Sequence, residues 1–204
     1  MKMKAKTLIT GIILSLFMFT EAEAQYKVGD VVSDFSLKNV DNKNVSLSKF
    51  SSAKGFIVVF TCNTCPFAKK YEKRVEQLDK DFSAKAFPVI AISSNDIQIN
   101  PGDSFEEMKK KAKDESYTFP YLYDESQEVA KSFGATNTPH VYVLAKEGNK
   151  IVVKYIGAID NNVDDPSMAD KKYVADAVNS ILEGKDPAVA STKAIGCGIK
   201  WKKT

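Results

Sequence analysis

The fold of this chain is most constrained by an apolar run that leads directly into an amphipathic pattern. The run FIVVF (residues 56–60) is rich in β-branched residues, which is typical of a strand buried on both faces. After the segment CNTCP (residues 62–66), apolar side chains recur every three or four residues, as on one face of a helix: Phe67, Tyr71, Val75, Leu78 and Phe82. The sequence therefore predicts a buried strand that passes through two cysteines into an amphipathic helix.

Strand and helix patterns alternate along the rest of the chain. A β-hairpin is predicted around DNKN (residues 41–44), a second buried strand over 88–93, and a terminal hairpin from the strands 140–145 and 150–157. Helices are predicted over 101–115, where Asp103 or Ser104 is the candidate N-cap, and over 126–134 and 170–184. This order predicts an α/β fold, in which a mixed central sheet is flanked by helices and carries an N-terminal β-hairpin and an inserted helix.

The N-terminus has the pattern of a secretory signal peptide. Three lysines at positions 2, 4 and 6 precede an apolar stretch over 8–20, and Ala22-Glu23-Ala24 forms a small-x-small cleavage site. The apolar stretch is shorter than the ~20 residues that a spanning helix needs, which argues against a retained anchor. We therefore predict a signal peptide over 1–24, a single domain over 25–204, no membrane span after cleavage, and a periplasmic or otherwise extracytoplasmic location.

The charge of the chain argues against a nucleic-acid partner. Lysine and arginine total 29 and aspartate and glutamate total 26, so the net charge is only +3. Proteins that bind nucleic acids carry a basic patch or stripe, whereas here the basic residues are interleaved with acidic ones.

The three cysteines are an odd number for an exported protein. Cys62 and Cys65 are close enough in sequence to pair, which leaves Cys197 over. Because the predicted helix starts near Pro66, Cys62 is expected among the free N–H groups of the helix start, which lower the pKa of a thiol. Cys65 would follow one turn later, so the spacing provides a nucleophile and a resolving thiol. Cys197 is interpreted as a free, partly buried thiol, a thiol that reaches the active site, or one that pairs with another chain.

A Thr-Pro step adds a second informative feature. Thr138-Pro139 lies between a predicted helix and a predicted strand, where a cis peptide bond is plausible. Together with VVSDFSL, FIVVFTCNTCPF, Ser94-Asn95-Asp96 and IGCGIKW (residues 195–201), this step makes the chain resemble the thioredoxin-like redoxin superfamily. The resemblance is greatest to a peroxiredoxin-like subgroup with a C-N-x-C-P motif, among relatives of the alkyl-hydroperoxide-reductase/thiol-specific-antioxidant proteins.

This resemblance implies the thioredoxin fold and an exported thiol–disulfide oxidoreductase. Cys62 would attack as a thiolate, Cys65 would resolve the mixed disulfide, and the Thr138-Pro139 loop would bind the substrate through its backbone. The implied partners are a protein or small-molecule thiol or disulfide and a further redox protein, and no cofactor is implied.

The chain departs from its relatives around the cysteine pair. Phe56 stands where thioredoxins have a buried acid, Thr61 where a tryptophan is common, and Thr64 where subgroup relatives often have histidine. A peroxidase, the first alternative function, has a hydroxyl residue three positions before its cysteine. Val59 occupies that position for Cys62, so the peroxidase signature is incomplete.

A copper-binding chaperone is the second alternative function. The segment FTCNTCP also resembles the Sco-type copper-delivery proteins, and the only histidine, His140, follows Pro139. Two thiolates and an imidazole suit Cu(I), so Cys62, Cys65 and His140 are candidate ligands. A purely structural disulfide is the remaining interpretation of the pair, although its short loop would constrain little chain entropy.

Overall fold

A seven-stranded mixed sheet forms the centre of the computed structural model, which describes residues 25–203. The predicted signal peptide lies outside the described residues. The strands of this sheet are β1 (Ser36–Asn39), β2 (Asn44–Ser46), β3 (Gly55–Phe60), β4 (Val89–Ser93), β5 (Tyr121–Tyr123), β7 (His140–Glu147) and β8 (Lys150–Gly157), and a separate two-stranded sheet consists of β6 (Asn137–Thr138) and β9 (Cys197–Gly198). The α-helices are α1 (Pro66–Phe82), α2 (Phe105–Asp114), α3 (Glu128–Phe133) and α4 (Tyr173–Leu182).

The predicted buried strand lies in the interior of the main sheet, whose order is β2-β1-β5-β4-β3-β7-β8. β3 runs parallel to β4 and antiparallel to β7, so that Val58 lies between Ile90 and Tyr142. β4 and β5 are also parallel, whereas the predicted hairpins β1–β2 and β7–β8 are antiparallel. Two parallel steps beside two hairpins give the mixed sheet that the element order predicts.

Helices pack on both faces of this sheet, as predicted. One face is covered by α1, α2 and α4, whose buried side chains include Tyr71, Met108 and Val178. The opposite face is covered by α3 and the N-terminal segment, and Phe133 of α3 packs edge to face on Tyr142 of β7. Burial of both faces explains why β3 and β4 have apolar side chains at successive positions.

The structure differs from the prediction at three short strands and one helix start. β5, β6 and β9 have three residues or fewer, which is too short for a periodic pattern to reveal them. Helix α2 begins at Phe105, and the side chain of Ser104 accepts a hydrogen bond from the N–H of Glu107. Ser104 is therefore the N-cap, whereas Asp103, the other candidate, is completely buried.

Candidate active site

The two cysteines of the C-x-x-C segment lie between the end of β3 and the start of α1. Phe60 is the last residue of β3, Cys65 is the N-cap of α1, and Pro66 occupies the first turn, where a missing N–H costs no helical hydrogen bond. Cys62 and Cys65 are free thiols and are only 3% and 4% exposed. The segment therefore holds two reduced sulfurs at the surface end of the central strand but keeps them largely from solvent.

Thr138 connects both cysteines to the loop before β7. The Thr138–Pro139 peptide bond is cis, as the sequence suggested. The Sγ of Cys62 lies 3.4 Å from Oγ1 of Thr138, and in its thiol form Cys65 donates from Sγ to the carbonyl oxygen of Thr138 at 3.0 Å. The four residues predicted for the site are thus brought together by β3, α1 and the loop before β7.

The two thiols have opposite pKa shifts. The pKa of Cys65 is lowered, chiefly because the thiol of Cys62 donates a hydrogen bond to its sulfur. Burial acts in the opposite direction and raises this pKa, whereas hydrogen bonds from the Cys197 thiol and the N–H of Ala68 lower it further. The same contact with Cys65, followed by burial and the negative charge of Asp103, raises the pKa of Cys62. The sequence predicted a lowered pKa for Cys62, and the structure assigns it to Cys65 instead.

The position of the helix start contributes to this difference in pKa. Because α1 begins at Pro66, Cys65 is the residue next to the free N–H groups of the first turn, and Cys62 lies three residues before the cap. The carbonyl oxygen of Thr138 favours the protonated form of Cys65 and offsets part of the effect. The Cys62 thiol and the N–H of Ala68 donate toward the sulfur of Cys65, and the contact with Cys62 has the larger effect on its pKa; the N–H of Cys65 donates toward the sulfur of Cys62.

A buried carboxylate that the sequence did not identify holds the C-x-x-C segment in place. Oδ1 of Asp103 accepts from the backbone N–H groups of Asn63 and Thr64 at 2.8 and 3.0 Å. Its Oδ2 accepts from the hydroxyl of Thr64 at 2.9 Å and from the amide of Asn95 at 2.8 Å. A buried charge with several donors is satisfied without a salt bridge, so Asp103 both fixes the segment and adds negative charge beside Cys62.

The sequence around Asp103 is also that of a helix cap, which hides its role at the site. Asp103 lies in the segment PGDSFEE, where an acidic residue before a helix is ordinarily explained by capping. Its true contacts reach residues 39 and 40 positions earlier in the chain. The motif Ser94-Asn95-Asp96 contributes to the same network through Asn95, and Tyr121 of the unpredicted strand β5 donates to Oδ1 of Asn63 at 2.9 Å.

The third cysteine also lies at the site. Cys197 is in β9, which pairs antiparallel with β6 and places Cys197 opposite Thr138. Its side chain packs with Cys62, Cys65 and Ala68, and it is partly exposed. The backbone of Thr138, which the resemblance assigns to substrate binding, is therefore paired with the C-terminal segment of the same chain.

His140 is not brought to the cysteines. Its Nδ1 accepts from the N–H of Thr136 at 3.3 Å, and its ring contacts Tyr142, which belongs to the core on the sheet face opposite α1. Burial lowers the pKa of His140 to about 4, so the imidazole is neutral at pH 7. Over residues 25–203, no group of three or more His, Cys, Asp or Glu side chains is arranged to hold a metal ion. The predicted set of Cys62, Cys65 and His140 is thus not assembled.

Comparisons with known proteins identify the family and the relatives of this chain. Residues 28–155 match the model of the AhpC/TSA family. A chloroplastic peroxiredoxin Q of Suaeda salsa is 32% identical over 143 residues, which cover 61% of this chain but only 58% of that protein. The thiol-disulfide oxidoreductase ResA of Bacillus thuringiensis is 23% identical over 69% of this chain and 76% of its own. A crystal structure of an uncharacterized conserved protein from Geobacillus kaustophilus superposes with a TM-score of 0.81 at 35% identity and covers 88% of this chain and 95% of its own.

The sheet order and the cis-proline before β7 are those of the thioredoxin fold, which solved structures of thioredoxin-like proteins share. The fold and the superfamily predicted from the sequence are confirmed. The chain belongs to the AhpC/TSA family, within the thioredoxin-like redoxins.

Replacement of Asp103 should change both stability and thiol reactivity. In the wild-type protein both carboxylate oxygens of Asp103 accept hydrogen bonds. In Asp103→Asn the NH₂ group cannot accept, so one set of donors loses its partner and the free energy of unfolding should fall by about 1–3 kcal/mol. Loss of the negative charge should also lower the pKa of Cys62. Denaturant unfolding of the reduced protein and alkylation of Cys62 against pH measure the two effects. Asp114→Asn, at the exposed end of α2, is the matched control, and equal behaviour of the two variants would contradict this role.

His140 should make the protein less stable at acidic pH. Its pKa is about 4 in the folded protein and ~6.5 in an unfolded chain, so between these values the unfolded state binds more protons and stability falls as pH falls. The expected loss between pH 7 and pH 5 is about 2 kcal/mol. Denaturant unfolding at both pH values measures it. Because the chain has a single histidine, His140→Gln should remove this part of the pH dependence, and an unchanged slope in the variant would refute the assignment.

Proposed function

We propose that this protein is an exported thiol–disulfide oxidoreductase that uses Cys62 and Cys65 as its redox pair. One observation carries the proposal: both sulfurs lie against Thr138, beside the cis-proline, at the start of α1. A helix start and a partner thiol are the features that make a cysteine reactive in thiol–disulfide exchange. The similarity to a thiol-disulfide oxidoreductase, ResA, supports the same chemistry.

Cys65 is proposed as the attacking thiol, because it is the N-cap of α1, next to the free N–H groups of the first turn, and because its contact with Cys62 lowers its pKa. Its thiolate attacks one sulfur of a substrate disulfide, and the other substrate sulfur leaves as a thiolate. Cys65 is then joined to the substrate in a mixed disulfide. This assignment exchanges the roles that the resemblance implied for Cys62 and Cys65.

Cys62 is proposed as the resolving thiol. Its pKa is raised chiefly by its contact with the sulfur of Cys65, and that cause disappears once Cys65 is part of a disulfide. Cys62 then attacks the sulfur of Cys65, releases the substrate thiolate, and passes its own proton to that leaving group. The substrate is reduced by two electrons and the pair becomes a Cys62–Cys65 disulfide; the same steps in reverse oxidise a substrate dithiol.

The substrate contact is proposed at Thr138 and Pro139, as the resemblance implies, with a protein or small-molecule disulfide as substrate and a second redox protein to restore the pair. The sulfurs line a cavity of about 240 Å³ that also exposes Thr64, Asn95 and Lys200. Because this cavity is small and is lined by both polar and apolar groups, it suits the extended segment around a disulfide rather than a bulky apolar ligand.

A thiol-dependent peroxidase is the second candidate, and the similarity to a peroxiredoxin Q favours it. The thiolate of Cys65 would attack one peroxide oxygen and become a sulfenic acid while the other oxygen leaves as an alcohol or water. Cys62 would then displace water and form the same disulfide. The residue three positions before Cys65 is Cys62 rather than threonine or serine, so the hydroxyl of the peroxidase signature is still missing.

Export is proposed from the signal-peptide pattern over 1–24. Within the part of the chain that the structure describes, no helix is both long enough and apolar enough to cross a membrane. The protein and its substrates would then meet in an oxidising compartment, where a cysteine pair can exchange disulfides with other exported proteins.

Disulfide exchange tests the proposed function and the proposed roles. In a Cys197→Ser background, a Cys62→Ser variant should accumulate a mixed disulfide with a fluorescent disulfide peptide on Cys65, because no thiol remains to resolve it. A Cys65→Ser variant should lose exchange altogether, and Ser51→Ala, at an exposed site, should match its parent. Tandem mass spectrometry locates the adduct. Accumulation on Cys62 in Cys65→Ser would reverse the roles, and exchange that survives both changes would refute the function. Consumption of hydrogen peroxide with dithiothreitol, dependent on Cys65, would favour the peroxidase.

Cleavage after Ala24 tests export. The full chain, produced in a Gram-negative host, should be recovered from the periplasm with Gln25 as its first residue, since small residues at positions 22 and 24 are required for cleavage. N-terminal sequencing provides the measurement. An Ala24→Asp variant should keep residues 1–24 and stay with the membrane, and recovery of the uncleaved wild-type chain from the cytoplasm would contradict export.

A further inference from the structure

We propose that Cys197 is a third catalytic thiol. It takes over the disulfide bond of Cys65 from the buried Cys62 and so transfers the disulfide to the protein surface. This inference rests on the proposed function, because it requires that the pair forms a disulfide. It adds to the C-x-x-C pair a third reactive thiol and a route by which the disulfide reaches a partner protein.

The C-terminal segment is held against the site by several independent hydrogen bonds. The amide of Asn137 donates to the carbonyl oxygen of Gly196 at 2.9 Å, and the N–H of Ile199 donates to the carbonyl oxygen of Thr136 at 3.0 Å. Further along, the N–H of Lys200 donates to Oδ1 of Asn95 at 2.9 Å. Cys197 thus lies between two anchored residues, and its position is fixed by the fold rather than by chance contact.

Gly196 allows the close approach of this segment. A Cβ atom at Gly196 would lie 2.2 Å from the carbonyl oxygen of Thr138, a distance that no real side chain tolerates. Gly198, on the other side of Cys197, has no such constraint, because the nearest atom to a Cβ there is 4.0 Å away. Only glycine at 196 lets β9 approach β6 closely enough to bring Cys197 beside the pair.

Cys197 adjoins Cys65 in particular. It packs against the cluster of Cys62, Cys65 and Ala68, and its thiol contacts the sulfur of Cys65. Burial and then this contact raise the pKa of Cys197, and the same contact lowers the pKa of Cys65. The three cysteines line the same cavity of about 240 Å³. Cys62 and Cys65 are buried and Cys197 is partly exposed, so Cys197 is the sulfur that a macromolecular thiol can reach most easily.

The exchange step is an internal rearrangement of one disulfide. The thiolate of Cys197 attacks the sulfur of Cys65, the Cys62–Cys65 bond breaks, and a Cys65–Cys197 bond forms. Cys62 leaves as a thiolate and takes the proton that Cys197 has lost. The chain has one disulfide before and after the step, so no oxidant or reductant is consumed.

A partner dithiol completes the cycle at the surface. One partner thiolate attacks Cys197, and Cys65 leaves; a thiol with a lowered pKa is the better leaving group, and Cys65 has one. The second partner thiol then attacks the partner sulfur bound to Cys197 and releases the Cys197 thiol. The partner is oxidised to a disulfide by two electrons, and the three cysteines of the chain end reduced.

Trapping of the Cys65–Cys197 disulfide tests this step. In Cys62→Ser, Cys65 can pair only with Cys197 within the chain. Dilute protein is oxidised with oxidised dithiothreitol, its free thiols are blocked, and trypsin is added; the peptides 55–69 and 194–200 should be recovered as one cross-linked species from monomeric protein. Separate peptides with both cysteines blocked would overturn the inference.

The two glycines that flank Cys197 provide a matched pair of variants. Gly196→Ala in the Cys62→Ser background should lose the cross-link, because the added methyl group pushes β9 from Thr138, whereas Gly198→Ala should keep it. A cross-link retained in Gly196→Ala, or lost equally in both variants, would contradict the geometric argument. Circular dichroism of both variants establishes that they are folded.

A comparison of the wild-type protein with Cys197→Ser distinguishes failure of this inference from failure of the proposed function. If a Cys62–Cys65 disulfide forms but Cys197→Ser leaves the rate of reduction by a dithiol protein unchanged, the pair is active and Cys197 is not part of the cycle. If that disulfide does not form at all, the proposed function itself fails. A loss of this rate in Cys197→Ser, with an unchanged reduction potential of the pair, is the expected result.

Discussion

Burial of both faces of β3 is the constraint on which the rest of the structure depends. Its side chains alternate between the two cores, with Ile57 and Val59 on the side of α1 and Phe56 and Val58 on the other. Its backbone is paired on both edges, with β4 and β7. A strand enclosed in this way can present functional side chains to solvent only beyond its end, so the cysteines follow its last residue. Phe56, which replaces the buried acid of thioredoxins, is a core residue in this arrangement.

This constraint explains why much of the fold could be predicted from the sequence. Strands that are buried on both faces and amphipathic helices produce strong local patterns, and β3, β4, α1 and the β7–β8 hairpin all have them. β5 has only three residues, and β6 and β9 have two each, so their existence depends on partners that are distant in the chain. The short strands are nevertheless the ones that complete the site, because they position Tyr121, Thr138 and Cys197.

The sequence indicated part of the candidate site but not its electrostatics. The C-x-x-C spacing pointed to Cys62 and Cys65, and the resemblance to the redoxins pointed to the Thr138-Pro139 step. The pKa order of the two thiols depends chiefly on the contact between them, and also on burial and on the negative charge of Asp103, and all three are set by tertiary structure. Asp103 shows this most clearly, because its sequence context is that of a helix cap, whereas its hydrogen bonds are with the C-x-x-C segment.

Pairing of β9 with β6 changes how a substrate can reach the pair. In a redoxin that binds its substrate along the cis-proline loop, the backbone of Thr138 would be open, but here it is already paired with residues of the same chain. For the proposed substrate contact at Thr138, the C-terminal segment must move aside, whereas a substrate that reacts with Cys197 meets a thiol of that segment itself. Since hydrogen bonds hold the segment on both sides of Cys197, displacement requires that several of them break together, whereas exchange through Cys197 leaves them in place. On these grounds the cysteine that looked supernumerary in the sequence is the most accessible thiol of the site.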